Sequence, residues 1–179
     1  MARPRRSKRS RSRLGEPRIS RLLTRAEREI AGSIFGKAID YDAVRIHHRR
    51  WWPFQPRNTV MAPCGHLHVP ANSDLWQEDY GTGPAALQGL FLHEMTHVWQ
   101  SQLRGKYYLP LMRHPFCRYR YTLEDGLAFT DYGLEQQGEI VRHVFLGRLG
   151  LHVPGAPPLG RLETLLPFGP QAETPRTRS

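Results

Sequence analysis

Cysteine is nearly absent: Cys64 and Cys117 are the only two in 179 residues. Two thiols cannot build a disulfide framework, and so low a number fits a reducing compartment. No apolar run approaches the ~20 residues that a membrane-spanning helix requires. Acid is missing from residues 1–13, which carry Arg3, Arg5, Arg6, Lys8, Arg9, Arg11 and Arg13. Those seven cations account for all but +3 of the formal net charge of +10. The rest of the chain is therefore only mildly basic, and net charge gives no reason to expect nucleic acid on the folded part. No apolar stretch follows the arginines, so the secretory-signal pattern is lacking. The expected location is the cytoplasm, with export by a dedicated secretion machine compatible because such a machine needs no signal of that kind.

What is present is an ordinary globular composition, 39% hydrophobic and 23% charged, on a chain long enough for one domain with a core. Residues 1–17 read as a disordered Arg/Ser-rich tail, 18–169 as the domain, and 170–179 as a second disordered tail. The first tail could act as an electrostatic arm for nucleic acid or an anionic membrane. No aromatics interleave its charges as a stacking platform would require, so a solvated tail is the preferred reading.

Thr24 to Glu27 form a capping box that opens a helix ending at Gly36. Val44 to His47 read as a short strand. Pro53 and Pro56 forbid a regular element around Trp51, Trp52 and Phe54, which are expected to plug the core or line a cleft. His47 and His48 are adjacent, and on a strand they point opposite ways rather than sharing an ion. Residues 58–61 and 66–69 suggest a hairpin turning at Pro63-Cys64-Gly65, whose strand could pair with an extended substrate. Cys64, His66 and His68 form an incomplete cluster of metal-ligand types there. Residues 106–130 read as a long irregular loop that walls a cleft or wraps the core. Thr130 or Asp131 is expected to cap a helix over 132–149.

The informative stretch is His93-Glu94-Met95-Thr96-His97, inside an apolar helix predicted over 84–103. Histidines four apart on a helix share a face and can share one tetrahedral cation, most often zinc. Glu94 can reach the water of that ion and act as its general base. Burying two histidines and a glutamate is costly without a partner, and a metal supplies one. A catalytic zinc needs a third protein ligand. Glu124, Asp125, Asp131, Glu135, Glu139 and His143 are the candidates, and the helix holding Glu135 and Glu139 is favoured because a rigid element positions a ligand best.

Resemblance narrows the choice. Glu135-Gln136-Gln137-Gly138-Glu139 is similar to the E-x-x-A-D segment of gluzincin metallopeptidases, with Gly138 for alanine and Glu139 for aspartate. That resemblance implies metal ligands His93, His97 and Glu135, with Glu139 holding a ligand histidine from behind; the reverse assignment is the alternative. Over a longer span, Phe35 to Tyr41, Val44 to Trp51, the pentad with Val98-Trp99-Gln100, and Tyr132 to Gln137 onward to Phe168 resemble a small bacterial family labelled Vgr-related proteins. The name links that family to type VI secretion spikes. The fold so implied is α+β: a single zincin-like domain with a small, mostly antiparallel sheet, a central helix bearing the pentad, and a second ligand-bearing helix. The activity so implied is zinc-dependent peptide-bond hydrolysis of a protein or peptide substrate, with a secretion-system spike as a further partner. Tyr132, His143 or a tyrosine of residues 107–121 would supply the oxyanion donor. The competing readings are a non-catalytic or structural accessory of a secretion apparatus, and a nucleic-acid binder acting through the tail.

Overall fold

Strand pairing begins at Ser20, ahead of the helix that Thr24 caps as expected. Thr24 Oγ1 accepts from the Glu27 amide at 3.0 Å, and the Thr24 amide donates to Glu27 Oε2 at 2.9 Å. This box opens α1 (Arg25–Phe35). The structure, a computed structural model, describes residues 20–112 and 117–168. The tails read at 1–17 and 170–179 lie outside the described residues.

Glu27 does more than cap. Its side chain is fully buried and accepts from both terminal nitrogens of Arg21, at 2.8 and 2.7 Å, and from the Tyr80 amide at 2.9 Å. One carboxylate thereby ties strand β1 (Ser20–Leu22) and the 3₁₀ turn Tyr80–Thr82 to the first turn of α1. Removing one partner of a buried, fully bonded ion pair leaves the other stranded, which costs about 3–5 kcal/mol. Glu27→Ala is therefore expected to lower the midpoint of thermal unfolding by roughly 10 °C or more in a domain of this size. A scan showing an unchanged midpoint would remove this hub from the stability argument.

The sheet has three strands in the order β1, β2 (Arg45–His47), β3 (Leu67–His68). β1 runs antiparallel to β2, with Arg21 opposite Ile46. β3 runs parallel to β2, with Ile46 opposite Leu67 and His47 opposite His68. The sheet is thus mixed rather than mostly antiparallel. The expected hairpin shrinks to a single antiparallel bridge between Met61 and His68, closed by amide–carbonyl bonds of 3.2 and 2.8 Å. In that register the next pairs outward would be Pro63 with His66 and Thr59 with Pro70. Each contains a proline with no amide to donate, so the ladder stops after one step. The outer edge of β3 at His68 is also filled by Met61, which corrects the expectation that β3 would offer this edge to a substrate.

α2 (Ala85–Arg104) crosses the centre, and every residue from Phe91 to Ser101 on it is buried. Its main partner is α4 (Leu134–Arg148). Ile140, Val141 and Val144 of α4 join Phe91, Leu92, Met95 and Val98 of α2 in one core with Ile34, Phe35, Ile46 and Leu67. α5 (Leu159–Leu165) covers α4. The stretch read as irregular contains a short helix, α3 (Tyr108–Met112). Five residues with an internal proline carry no helical period, and Pro110 is tolerated there because it falls in the first turn. The α4 cap also differs: Gly133 stands at the N-cap, its amide donating to Gln136 Oε1 at 2.8 Å. Asp131 instead closes the preceding 3₁₀ turn by accepting from the Ala128 amide at 3.1 Å. No described helix is long and apolar enough to cross a membrane.

Candidate metal centre

Helical spacing puts His93 and His97 one turn apart on the face of α2 that meets α4. The first turn of α4 brings Glu135 between them. Glu135 Oε2 lies 3.1 Å from His93 Nε2 and 3.3 Å from His97 Nε2. All three side chains are buried, and their ligand atoms lie within 4.8 Å of one another. Tetrahedral zinc with bonds of ~2.05 Å would set its ligand atoms roughly 3.3 Å apart. Two imidazole nitrogens and a carboxylate oxygen at this spacing fit a divalent ion.

The far nitrogen of each histidine is held. Gln100 Nε2 donates to Leu134 O at 3.2 Å and to Gln137 Oε1 at 2.9 Å, so Gln100 Oε1 is the acceptor for His97 Nδ1 at 2.8 Å. Gln137 is oriented in turn by donating to Tyr132 O at 2.7 Å. His97 therefore carries its proton on Nδ1 and directs the Nε2 lone pair at Glu135. His93 Nδ1 sits 3.0 Å from Glu139 Oε1, at ion-pair distance though off the straight hydrogen-bond line. Burial alone would lower the pKa of His93, but Glu135 and Glu139, with the charge of Glu94, outweigh it and push it up to about 9. The surplus of carboxylate around this imidazole favours a positive charge at the site.

Glu139 belongs to a longer chain of contacts. Arg142 Nη1 lies 3.4 Å and His143 Nε2 3.5 Å from its oxygens, and the Tyr121 hydroxyl hydrogen-bonds with His143 Nδ1 at 2.7 Å. Proximity to His93 and these cations outweighs burial and keeps the Glu139 carboxyl below its ordinary range. Gly138 lets the two helices approach. A Cβ there would fall 2.7 Å from Nδ1 and Cε1 of His93, inside any tolerable contact. The residue that departs from the alanine of the resembling segment is thus matched to where this histidine ring sits.

Glu94 is buried beside the triad, 4% exposed. Of the candidate oxyanion donors, Tyr132 has its hydroxyl engaged by the Glu124 amide at 3.1 Å, and His143 stands behind Glu139. Tyr119, from the 107–121 stretch, stacks on the His93 ring with centroids 6.1 Å apart. A cleft of about 380 Å³ opens beside His97, lined by Trp51, Trp52, Met61, Ala62, Leu109 and Pro110. The two tryptophans are cleft walls, not core plugs. Glu124, Asp125 and Asp131 stay away from the triad: Asp125 pairs with Arg161, and Asp131 caps its own turn.

Cys64, His66 and His68 do not form a ligand group; among the described residues only His93, His97 and Glu135 do. His66 and His68 pack instead against His47, with centroids 5.7 and 4.6 Å from it. Burial, reinforced by neighbouring histidines and Arg49, lowers the pKa of His68 to about 3. His48 points to the other side of β2 and stacks on Trp76 at 3.9 Å. Gln100 and Gln137 were not singled out by sequence reasoning. Their signal is present, a glutamine three residues after His97 and another two after Glu135, but glutamine spacing alone names no partner.

No known family profile matches the chain. It is 39% identical over 141 residues to the type VI secretion system spike protein VgrG2b of Pseudomonas aeruginosa, a match that takes in 74% of this chain and 14% of that protein. The chain therefore spans only a small part of the curated relative's length. Among solved structures it is similar to the effector domain of the same VgrG2b, with a TM-score of 0.63 and 36% identity over 76% of this chain and 80% of that domain. Identity at this level across most of both domains shows that the chain belongs to the family of the VgrG2b effector domain.

Proposed function

We propose that the chain is a zinc metallopeptidase of zincin-like, gluzincin-type fold that hydrolyses peptide bonds in a protein or peptide substrate. The carrying observation is the convergence of His93 Nε2, His97 Nε2 and Glu135 Oε2 in a buried site, with a glutamate next to the first histidine. When bound, zinc supplies a Lewis acid that polarises a carbonyl and acidifies water. Glu94 takes the proton from the attacking water and returns it to the leaving amine. Gln100 holds the His97 imidazole in the tautomer that leaves Nε2 free, and the Glu139 carboxylate lies against Nδ1 of His93. Tyr119, whose ring stacks on His93, supplies the donor for the developing oxyanion. The apolar cleft beside His97 receives substrate side chains. Membership of the VgrG2b effector-domain family supports a role as a type VI secretion effector that works with a spike protein.

Metal analysis and a cleavage assay on the same preparation test this reading. Purified protein should carry one zinc per chain and cleave a denatured protein substrate. Chelation should remove both properties, and added zinc should restore both. Metal content far below one per chain after purification in zinc-containing buffer would overturn the proposal. Full occupancy without hydrolysis would leave a structural metal centre instead.

A further inference from the structure

The two stretches that flank the cleft share a property that the metal site does not explain. Residues 43–73 contain Arg45, Arg49, Arg50 and Arg57 and no acid, and residues 95–123 contain Arg104, Lys106, Arg113, Arg118 and Arg120 and no acid. Arg49, Arg50, Arg104 and Lys106 are exposed. Among the described residues none of these four meets a carboxylate, whereas Arg57 lies 3.8 Å from Asp74. Between these cations stand large apolar side chains in water. Phe54 is 78% exposed, Leu111 81% and Tyr107 65%. None of the three lines the cleft; its walls are the adjacent Trp51, Trp52, Leu109 and Pro110. Phe54 rests edge-on against Trp52, centroids 5.5 Å apart, and Lys106 sits over the Tyr107 ring at 5.8 Å. Both lips of one cleft thus combine projecting apolar groups with exposed cations that meet no carboxylate among the described residues.

A peptide lying in the cleft would touch its walls and leave Phe54 and Leu111 in water. A flat apolar layer beneath an anionic surface would meet both lips at once. Aromatic side chains with leucine, interleaved with Lys and Arg, are the composition that settles at the headgroup boundary. Each cation near an anionic leaflet adds attraction that salt screens. We propose that this face docks on an anionic phospholipid bilayer, with Phe54 and Leu111 entering the acyl boundary and Arg49, Arg50, Arg104 and Lys106 at the headgroup phosphates. The inference is independent of hydrolysis. Its consequence is that the cleft beside His97 opens at the membrane surface.

The test is vesicle flotation of the full chain on phosphatidylglycerol/phosphatidylethanolamine and on phosphatidylcholine vesicles, at ~0.15 and ~0.5 M salt. The Arg-rich N-terminus can bind anionic lipid by charge alone, so the decisive comparison is a double variant of the tips. Phe54→Ser/Leu111→Ser should weaken binding to the anionic vesicles about tenfold or more. Leu149→Ser/Leu151→Ser, which alters two half-exposed leucines after α4, should not. Both variants change exposed residues, and circular dichroism should show them folded. Brominated lipid should quench wild-type tryptophan fluorescence, and Trp51→Phe/Trp52→Phe should remove that quenching. Vesicle binding that is absent, that is unchanged in the tip variant, or that disappears wholly on deletion of residues 1–17 overturns the proposal. So does a tip variant that loses affinity for an apolar peptide when the wild type does not bind vesicles, because the surface is then a protein-docking site.

Discussion

Glu94→Gln is expected to lower kcat/KM for peptide hydrolysis by about 10²–10⁴-fold, the contribution of a positioned general base, while zinc stays bound. Glutamine has the shape of glutamate and can still hydrogen-bond, but its amide cannot take a proton from water. The metal should remain because the three converging ligand atoms belong to His93, His97 and Glu135, and Glu94 is not one of them. The measurements are zinc per chain and cleavage rate on matched preparations. Retained metal with lost hydrolysis is the expected pair of results. Hydrolysis at the wild-type rate would assign the base to another group. Loss of metal together with activity would mean that Glu94 holds the site together rather than acting in it.

The second large effect separates Glu135, which the resemblance implies as the ligand, from Glu139, the alternative. Structural zinc sites bind with apparent energies of about 10–16 kcal/mol shared among four ligands, so one ligand is worth roughly 3 kcal/mol, or ~10²–10³ in affinity. Glu135→Ala should therefore weaken zinc binding by about 10²–10³-fold. Glu139→Ala removes a group that contacts His93 Nδ1 from behind, and such groups contribute ~10–100-fold. Competition with a chromophoric chelator measures both constants. The geometry behind the expectation is direct: Glu135 Oε2 faces the Nε2 atoms of both histidines, whereas Glu139 Oε1 faces the Nδ1 atom of one. A larger loss for Glu139→Ala than for Glu135→Ala would reverse the assignment.

Both expectations depend on how tightly α4 lies on α2. Gly138 has no side chain where the His93 ring passes. The two glutamines, Gln100 and Gln137, bond across the same helix pair at 2.9 Å. Burial makes each of these polar groups expensive to leave unsatisfied, so the site is rigid because few alternative arrangements satisfy all of them. The lips of the cleft are the opposite case. Phe54, Tyr107 and Leu111 keep most of their surface in water, and nothing within the described chain competes with an external partner for them.

Local chemistry was legible in the sequence. The capping box at Thr24, the helical run around His93 and His97, and the opposed directions of His47 and His48 depend on contacts within a few residues, so spacing alone implies them. Tertiary structure decided what depends on distant partners. The hairpin at residues 58–69 failed because Pro63 and Pro70 fall opposite residues that need an amide, which is visible only once the register is set. Asp131 lost the α4 cap to Gly133 because the chain turns once more before the helix starts. Glu27 became a hub because β1 and the Tyr80 turn fold onto it. Most of all, the sequence could propose two glutamates as the third ligand, but their order of contact with the histidines is a property of helix against helix. The close approach at Gly138 sets that order by bringing Glu135 to the ring nitrogens that face inward and leaving Glu139 at the one that faces away.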